Sequence, residues 1–196
     1  MAPPARKRLT YAEYLALEQS TDLRHEFLDG EAWAMAGGTP RHSKIKANLV
    51  GQLYLALGRG PCAAYDSDLK VRVPDTFLST YPDAAVICGP LQRDQQDRNA
   101  AVNPTVLVEV LSEGTEAWDR GGKFAHYRRL ASLRHYLLVD SRSPRVEHYV
   151  RLPDGRWALS EHGPGEGVEI EAAGIRLEVD RLYEGLPDED EAPQEG

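Results

Sequence analysis

Cysteine is scarce in this chain, with only Cys62 and Cys88 among its 196 residues. Each lies beside an apolar segment, where a reduced thiol usually packs as a small hydrophobic side chain. We therefore expect two free thiols. The scarcity argues against a disulfide-stapled secreted scaffold and against a zinc site made of cysteines.

Long apolar runs are also missing. No stretch approaches the roughly 20 apolar residues of a membrane-spanning helix, and residues 1–10 lack the apolar core of a signal peptide. We expect a cytoplasmic protein that makes no membrane contact. A chain of 196 residues suits one domain better than two. We predict a single domain over residues 11–183, a disordered basic N-terminus over 1–10 and a disordered acidic tail over 184–196.

A positive net charge is the third missing feature. The formal net charge is -8 at pH 7, which argues against a general nucleic-acid binder because phosphate contacts need a basic surface. The charge is uneven, since residues 120–156 contain nine Lys or Arg against three acids. Such a run is more often a solvated surface than a binding face. No helix-turn-helix or zinc-finger pattern occurs that would indicate sequence-specific DNA recognition.

Helical and strand patterns alternate along the chain. Thr10 and Glu13 form a capping box before a short helix, and Asp29-Gly30 predicts a hairpin turn. Residues 69–73 alternate apolar side chains with Lys70 and Arg72, which predicts a strand with one face toward water. Further patterns predict helices over 42–58 and 119–130, strands over 84–88, 105–111 and 136–139, and a hairpin over 145–160. This order predicts an α/β or α+β fold, with a central mixed sheet, flanking helices and extra hairpins at both ends.

Two acids stand out because they lie at the start and in the middle of adjacent apolar strands. Asp83 precedes the strand at 84–88, and Glu109 lies within the run Val106–Leu111. A buried carboxylate needs a partner. A divalent cation is one such partner, since carboxylate oxygens can hold Mg²⁺ or Mn²⁺ and leave positions for water and phosphate. A salt bridge to an arginine is the alternative.

These residues carry a resemblance. Proline-aspartate before one strand and an acid in the next is similar to the PD-(D/E)XK nuclease motif, although Leu111 stands where that motif has its lysine. Over about residues 11–157 the chain resembles, more specifically, the Uma-type family of bacterial restriction-endonuclease-like proteins. The matching segments are HEFLDGE at 25–31, MAGGTPRHS at 35–43, SDLKVR at 67–72, YPD at 81–83, NP at 103–104, VEVLS at 108–112, DRG at 119–121, KF at 123–124, YRR at 127–129 and YLLVD at 136–140.

The resemblance implies a restriction-endonuclease-like fold and a Mg²⁺- or Mn²⁺-dependent endonuclease, with DNA as the expected nucleic acid. It implies Asp83 and Glu109 as metal ligands. It also implies Lys123 as the catalytic cation, because in that family the lysine lies in the following helix. Glu26 is the fourth candidate, since an N-terminal acid often joins the site in this superfamily. From the residues alone, Lys123 could be a solvated helix lysine and Glu26 an ordinary hairpin acid.

Three further residues are candidate nucleic-acid contacts, namely His42, Arg128 and Arg129. His42 could instead cap its helix, and the arginines could be surface charge. Tyr127 lies one helical turn after Lys123, where it could orient the ammonium or simply pack.

Two functional hypotheses therefore stay open. The first is the metal-dependent endonuclease. The second is a non-catalytic module that keeps the nuclease fold to bind DNA or a protein partner, with structural acids. A homodimer is compatible with the first, because nucleases of this superfamily that cut duplexes commonly pair two sites.

Overall fold

Two β-sheets form the frame of the protein. The computed structural model describes residues 8–35 and 37–187, so most of both predicted disordered ends lies outside the described residues. The six strands of the larger sheet are, from edge to edge, β11 (Trp157–His162), β10 (Val146–Arg151), β9 (His135–Asp140), β8 (Val106–Leu111), β6 (Ala84–Cys88) and β3 (Cys62–Asp66). The two central neighbours β8 and β9 are parallel, and the other neighbours are antiparallel.

The smaller sheet contains the predicted hairpin. Asp29 and Gly30 have φ values of 45° and 90°, the positive angles that a two-residue hairpin turn requires. Two short strands, β12 (Gly167–Ile170) and β13 (Ile175–Glu178), pair separately. The order of the smaller sheet is β2 (Glu31–Ala34), β1 (His25–Leu28), β5 (Leu78–Thr80), β4 (Lys70–Val73) and β7 (Ala100–Ala101).

The helices begin at side-chain caps. Helix α1 (Tyr11–Ser20) starts with the predicted capping box of Thr10 and Glu13, and α2 (Pro40–Leu57) is capped by Thr39. The helix predicted over 119–130 is instead a π-helical turn, Trp118–Lys123, that continues into the short helix α3 (Phe124–Tyr127). Helix α4 (Val179–Leu182) follows β13. None of the helices in the described part of the chain is long and apolar enough to cross a membrane.

Two apolar layers cover the larger sheet. On one face, α2 packs with the β12–β13 hairpin through residues such as Ile45, Leu49 and Val168. On the other face, the smaller sheet and the segment around α3 contribute Val71 and Tyr127. This is a mixed α+β architecture with a central mixed sheet, as predicted.

The prediction that one face of the strand around Lys70 and Arg72 meets water is wrong. Both side chains are buried because α1 covers that face of the smaller sheet. The Arg72 guanidinium lies 3.7 Å from the ring centroid of Tyr11, and Lys70 Nζ lies 2.9 Å from Asp97 Oδ2. Alternation in the sequence shows which residues share a face of a strand. It does not show that a helix distant in sequence covers that face.

The prediction of two free thiols is also wrong, because Cys62 and Cys88 form a disulfide. They are register partners in the antiparallel pair of β3 and β6, with Cα atoms 3.9 Å apart. Beside them, the Gly89 N–H donates to the Pro61 carbonyl. The cysteine pair therefore occupies a position without its own hydrogen bonds, where opposing strands approach most closely. The cysteines are 26 positions apart in sequence, so only the strand pairing reveals their proximity.

Candidate active site

Asp83 and Glu109 lie opposite each other near the start of β6. The antiparallel register pairs Ala84 with Val108, so one further residue along each chain places Asp83 across from Glu109. Residues directly opposite in an antiparallel pair direct their side chains to the same face. Both are buried, with 8% and 3% of their surface exposed. The structure thus places the two predicted metal ligands opposite each other, with the Asp83 carboxylate paired to helix α2 and the Glu109 carboxylate paired to Lys123.

The Lys123 ammonium lies at the centre of an acidic cluster. Its Nζ is 3.0 Å from Glu26 Oε1, 3.1 Å from Glu109 Oε1 and 3.2 Å from Asp119 Oδ1. An ammonium has three N–H donors, so each donor can face one carboxylate. The Lys123 side chain is only 7% exposed, which excludes the alternative of a solvated helix lysine.

Glu26 reaches this cluster from the smaller sheet. It precedes Phe27, whose register partner is Ser79 on β5, and the hydroxyl of the next residue, Thr80, donates a hydrogen bond to Glu26 Oε1. Only 6% of Glu26 is exposed, so it is not an ordinary hairpin acid. The two sheets therefore meet at the ammonium of Lys123.

Two residues of the cluster were not among the predicted site residues. Asp119 is buried beside Lys123, and its signal was an acid four residues before the candidate lysine. The Tyr127 hydroxyl donates a 2.8 Å hydrogen bond to Glu109 Oε1. Tyr127 therefore packs in the apolar layer, which is one of the two roles that its spacing suggested, and also holds the carboxylate of Glu109.

Helix α2 holds Asp83 from the other side. Lys46 Nζ lies 2.9 Å from Asp83 Oδ1, and His42 Nε2 lies 3.6 Å from Asp83 Oδ2. The Val110 N–H donates to Asp83 Oδ2 at 2.7 Å, and the His42 ring nitrogen lies 2.9 Å from the Val110 carbonyl. Thr39 caps the helix by accepting a hydrogen bond from the His42 N–H. The ring of His42 is not the cap, and it contacts Asp83 and the Val110 carbonyl instead.

Burial and neighbouring charges shift the pKa values in different directions. Burial raises the pKa of Glu109 well above its usual value, and the charge of Lys123 offsets this only in part. Burial likewise raises the pKa of Asp119. Burial opposes ionisation of Asp83 too, but His42 and Lys46 outweigh it and hold that pKa below its usual value. Burial would lower the pKa of Lys123, yet the surrounding carboxylates raise it well above the usual value.

The carboxylate oxygens of the site are the type of ligand that a hard divalent cation prefers. Three buried carboxylates surround one ammonium, so the cluster has more acids than compensating cations, and a further cation would offset the excess. In residues 8–35 and 37–187 no three His, Cys, Asp or Glu side chains are arranged to hold a metal by themselves. Two carboxylates nevertheless suffice for Mg²⁺, which usually keeps several waters and takes phosphate oxygens as further ligands. Asp83 and Glu109 are the pair that could supply them.

Arg128 and Arg129 do not join the cluster. Both are exposed where α3 ends, and the Arg128 guanidinium lies 6.0 Å from the ring centroid of Phe124. Of the three residues predicted to contact nucleic acid, only His42 lies beside a predicted metal ligand.

The chain is similar to known proteins over most of its length. Residues 11–180 match the Uma2 family, which is described as "Putative restriction endonuclease". The chain belongs to the Uma2 family. Among similar proteins, two uncharacterized proteins of Synechocystis sp. (strain ATCC 27184 / PCC 6803 / Kazusa) are 37% and 34% identical to it. The first alignment covers 91% of this chain and 93% of the relative, and the second covers 87% and 96%.

A solved structure shows the same fold. The crystal structure of a protein from Anabaena variabilis ATCC 29413, described as "a putative nuclease belonging to DUF820", aligns with a TM-score of 0.72. The alignment covers 89% of this chain and 97% of the other at 18% identity. The predicted nuclease fold is therefore confirmed. Membership of Uma2 and this fold support a nuclease-like role.

Proposed function

We propose that this Uma2 protein is a metal-dependent endonuclease that hydrolyses phosphodiester bonds, with DNA as the expected substrate. The observation that carries the proposal is the position of Lys123, whose ammonium contacts both Glu26 and Glu109 beside the opposed Asp83. Three elements that are distant in sequence bring their charged side chains to one place. A salt bridge that served stability alone would need only two of these groups.

Each residue of the cluster has a role in this proposal. Asp83 and Glu109 would hold Mg²⁺ or Mn²⁺, which when bound lowers the pKa of a coordinated water and polarises the phosphate. Lys123 supplies a fixed positive charge next to the position where negative charge develops on phosphorus. Glu26 orients the lysine from the smaller sheet.

Contacts to the nucleic acid would come from the surface around this site. His42 lies on the α2 side of Asp83, and Arg128 and Arg129 are exposed on the side of α3. Because the net charge is -8, binding would depend on local cations and weaken with salt. A cytoplasmic location and a homodimer remain predictions.

One observation favours a non-catalytic module as the second candidate. Every donor of Lys123 can face a carboxylate within 3.2 Å, and Asp83 is already paired with Lys46. A network in which the charged groups are already paired could serve only to hold the buried elements together. In that case the fold would bind DNA or a protein without cutting it.

Cleavage of labelled single-stranded, duplex and branched DNA distinguishes these candidates. We expect cutting that requires Mg²⁺ or Mn²⁺ and falls about 100-fold or more in Asp83→Asn and Lys123→Met. Glu161→Gln removes an exposed acid on β11 and should cut like the wild type. Cutting that survives chelation, or that persists in both site variants, would refute the proposal. Binding of DNA without any cutting would establish the module.

A further inference from the structure

The π-helical turn Trp118–Lys123 places two charged residues on the same side. Asp119 and Lys123 are four residues apart, both are buried, and their charged groups are 3.2 Å apart. Between them, Arg120 turns outward and pairs with Glu116 and Glu147 at 2.9 Å. π-Helical turns are rare and occur often at functional sites. The turn thus separates a surface ion network from the buried cluster.

Two contacts fix the shape of this turn. The Tyr136 hydroxyl on β9 donates a 3.0 Å hydrogen bond to the Asp119 carbonyl. The indole of Trp118 lies against Gly122 so closely that a Cβ on Gly122 would come within 1.9 Å of the ring. The backbone at Asp119 is therefore tied to the larger sheet, and a glycine makes room for the turn.

Asp119 is a costly residue for stability alone. Lys123 already pairs with Glu26 and Glu109, so a third carboxylate adds negative charge to a cluster that has too much. Its Oδ1 atom is buried and lies 3.2 Å from the Lys123 ammonium, and the side chain of Thr115 lies beside the carboxylate. Burial of a third carboxylate against one ammonium costs free energy, which favours a role in positioning over a role in stability.

We propose that Asp119 is a positioning residue, which together with the π-helical turn holds the Lys123 ammonium between Glu26 and Glu109. Without Asp119, Lys123 keeps two partners but loses the third contact that fixes its rotamer. Misplacement of a catalytic group by about 1 Å can reduce a rate about 100-fold. The kinetic part of this inference rests on the proposed nuclease function, whereas the positional part does not.

The positional part is tested by chemical labelling of lysine. Reductive dimethylation followed by peptide mass spectrometry compares Lys123 with the exposed Lys44 as an internal standard. We expect Asp119→Asn to raise the relative labelling of Lys123 at least about tenfold, and Glu116→Gln, which removes a nearby surface acid, to leave it unchanged. Labelling of Lys123 at the wild-type rate in Asp119→Asn would overturn the proposal.

Kinetics then separates this inference from the proposed function. We expect Asp119→Asn to lower kcat with little change in KM, and Asp119→Glu to restore part of it. If the wild type cuts no DNA but Asp119→Asn still exposes Lys123, the positioning role stands and the nuclease proposal fails. If Asp119→Asn does not fold, Tyr136→Phe loosens the same turn and must raise Lys123 labelling. Unchanged labelling in that variant would refute the proposal.

Discussion

At the scale of single residues, buried ionisable groups set the chemistry of this protein. Each carboxylate around Lys123 is less than a tenth exposed, and burial favours its neutral form. The ammonium offsets this only in part, as the raised pKa values of Glu109 and Asp119 show. One additional cation or proton would therefore offset the excess of negative charge in this buried site.

A second buried ionisable group lies away from the site and makes stability depend on pH. His148 Nε2 lies 2.9 Å from His135 Nδ1, and burial lowers the pKa of His148 to about 4. The unfolded chain binds a proton near the usual value of about 6.5, so it binds more protons than the folded chain between these two values. Stability should therefore fall as pH drops from about 6.5 to 4.

Urea unfolding at pH 7, 5.5 and 4.5 measures this dependence. Acids elsewhere also titrate near pH 4, so the difference between variants is the informative quantity. His148→Gln should lose less stability on acidification than the wild type, and Leu159→Gln, at an exposed position of the same sheet without a titratable side chain, should lose as much as the wild type. Equal losses in His148→Gln and the wild type would contradict the assignment.

At the scale of elements, local patterns were predictable and long-range contacts were not. The turn at Asp29-Gly30 and the capping box at Thr10 depend on neighbouring residues, so the sequence revealed both. The π-helical turn depends instead on Tyr136 from another strand, and a helical pattern cannot show it. The four-residue spacing of Asp119 from Lys123 was visible in the sequence, but the burial of Asp119 was not.

The site residues were likewise predictable where a local pattern marks them and not where only a long-range contact does. Asp83, Glu109 and Lys123 could be selected because buried acids and the family pattern mark them. Lys46 could not be selected, because its 2.9 Å contact with Asp83 joins a helix to a strand 37 positions later. The hydrogen bond from Thr80 to Glu26 likewise depends on the pairing of β1 with β5.

The disulfide joins two of these elements and should stabilise the larger sheet. Closing a loop across 26 positions lowers the entropy of the unfolded chain, which corresponds to roughly 3.5 kcal/mol at most. We expect a reductant to lower the free energy of unfolding by about 2 to 3 kcal/mol. The double variant Cys62→Ser with Cys88→Ser should show no response to reductant. Alkylation of both cysteines without prior reduction would show that the bond is not formed.

At the scale of the whole molecule, the site exists only where the two sheets meet. Glu26 belongs to the smaller sheet, Glu109 to the larger one and Lys123 to the segment between β8 and β9. No two of these elements alone bring the three charges together, so the cluster also reports whether the sheets are correctly packed. The overall charge of -8 adds to the negative potential around it.

This excess of negative charge makes metal binding measurable without any substrate. A cation that binds only the folded chain stabilises it by about 2.7 kcal/mol at a concentration 100-fold above its Kd. We therefore expect Mn²⁺ or Mg²⁺ to raise the Tm of the wild type. Asp83→Asn and Glu109→Gln remove the proposed ligands and should abolish the rise. Asp68→Asn removes an acid that pairs with Arg24 on the surface and should leave the rise in Tm intact.

Since Ca²⁺ accepts the same oxygen ligands in a looser geometry, Ca²⁺ should also raise the Tm without supporting cleavage. A rise that survives in both ligand variants would place the cation at another site, and its absence in the wild type would leave Lys123 as the cation that balances these carboxylates.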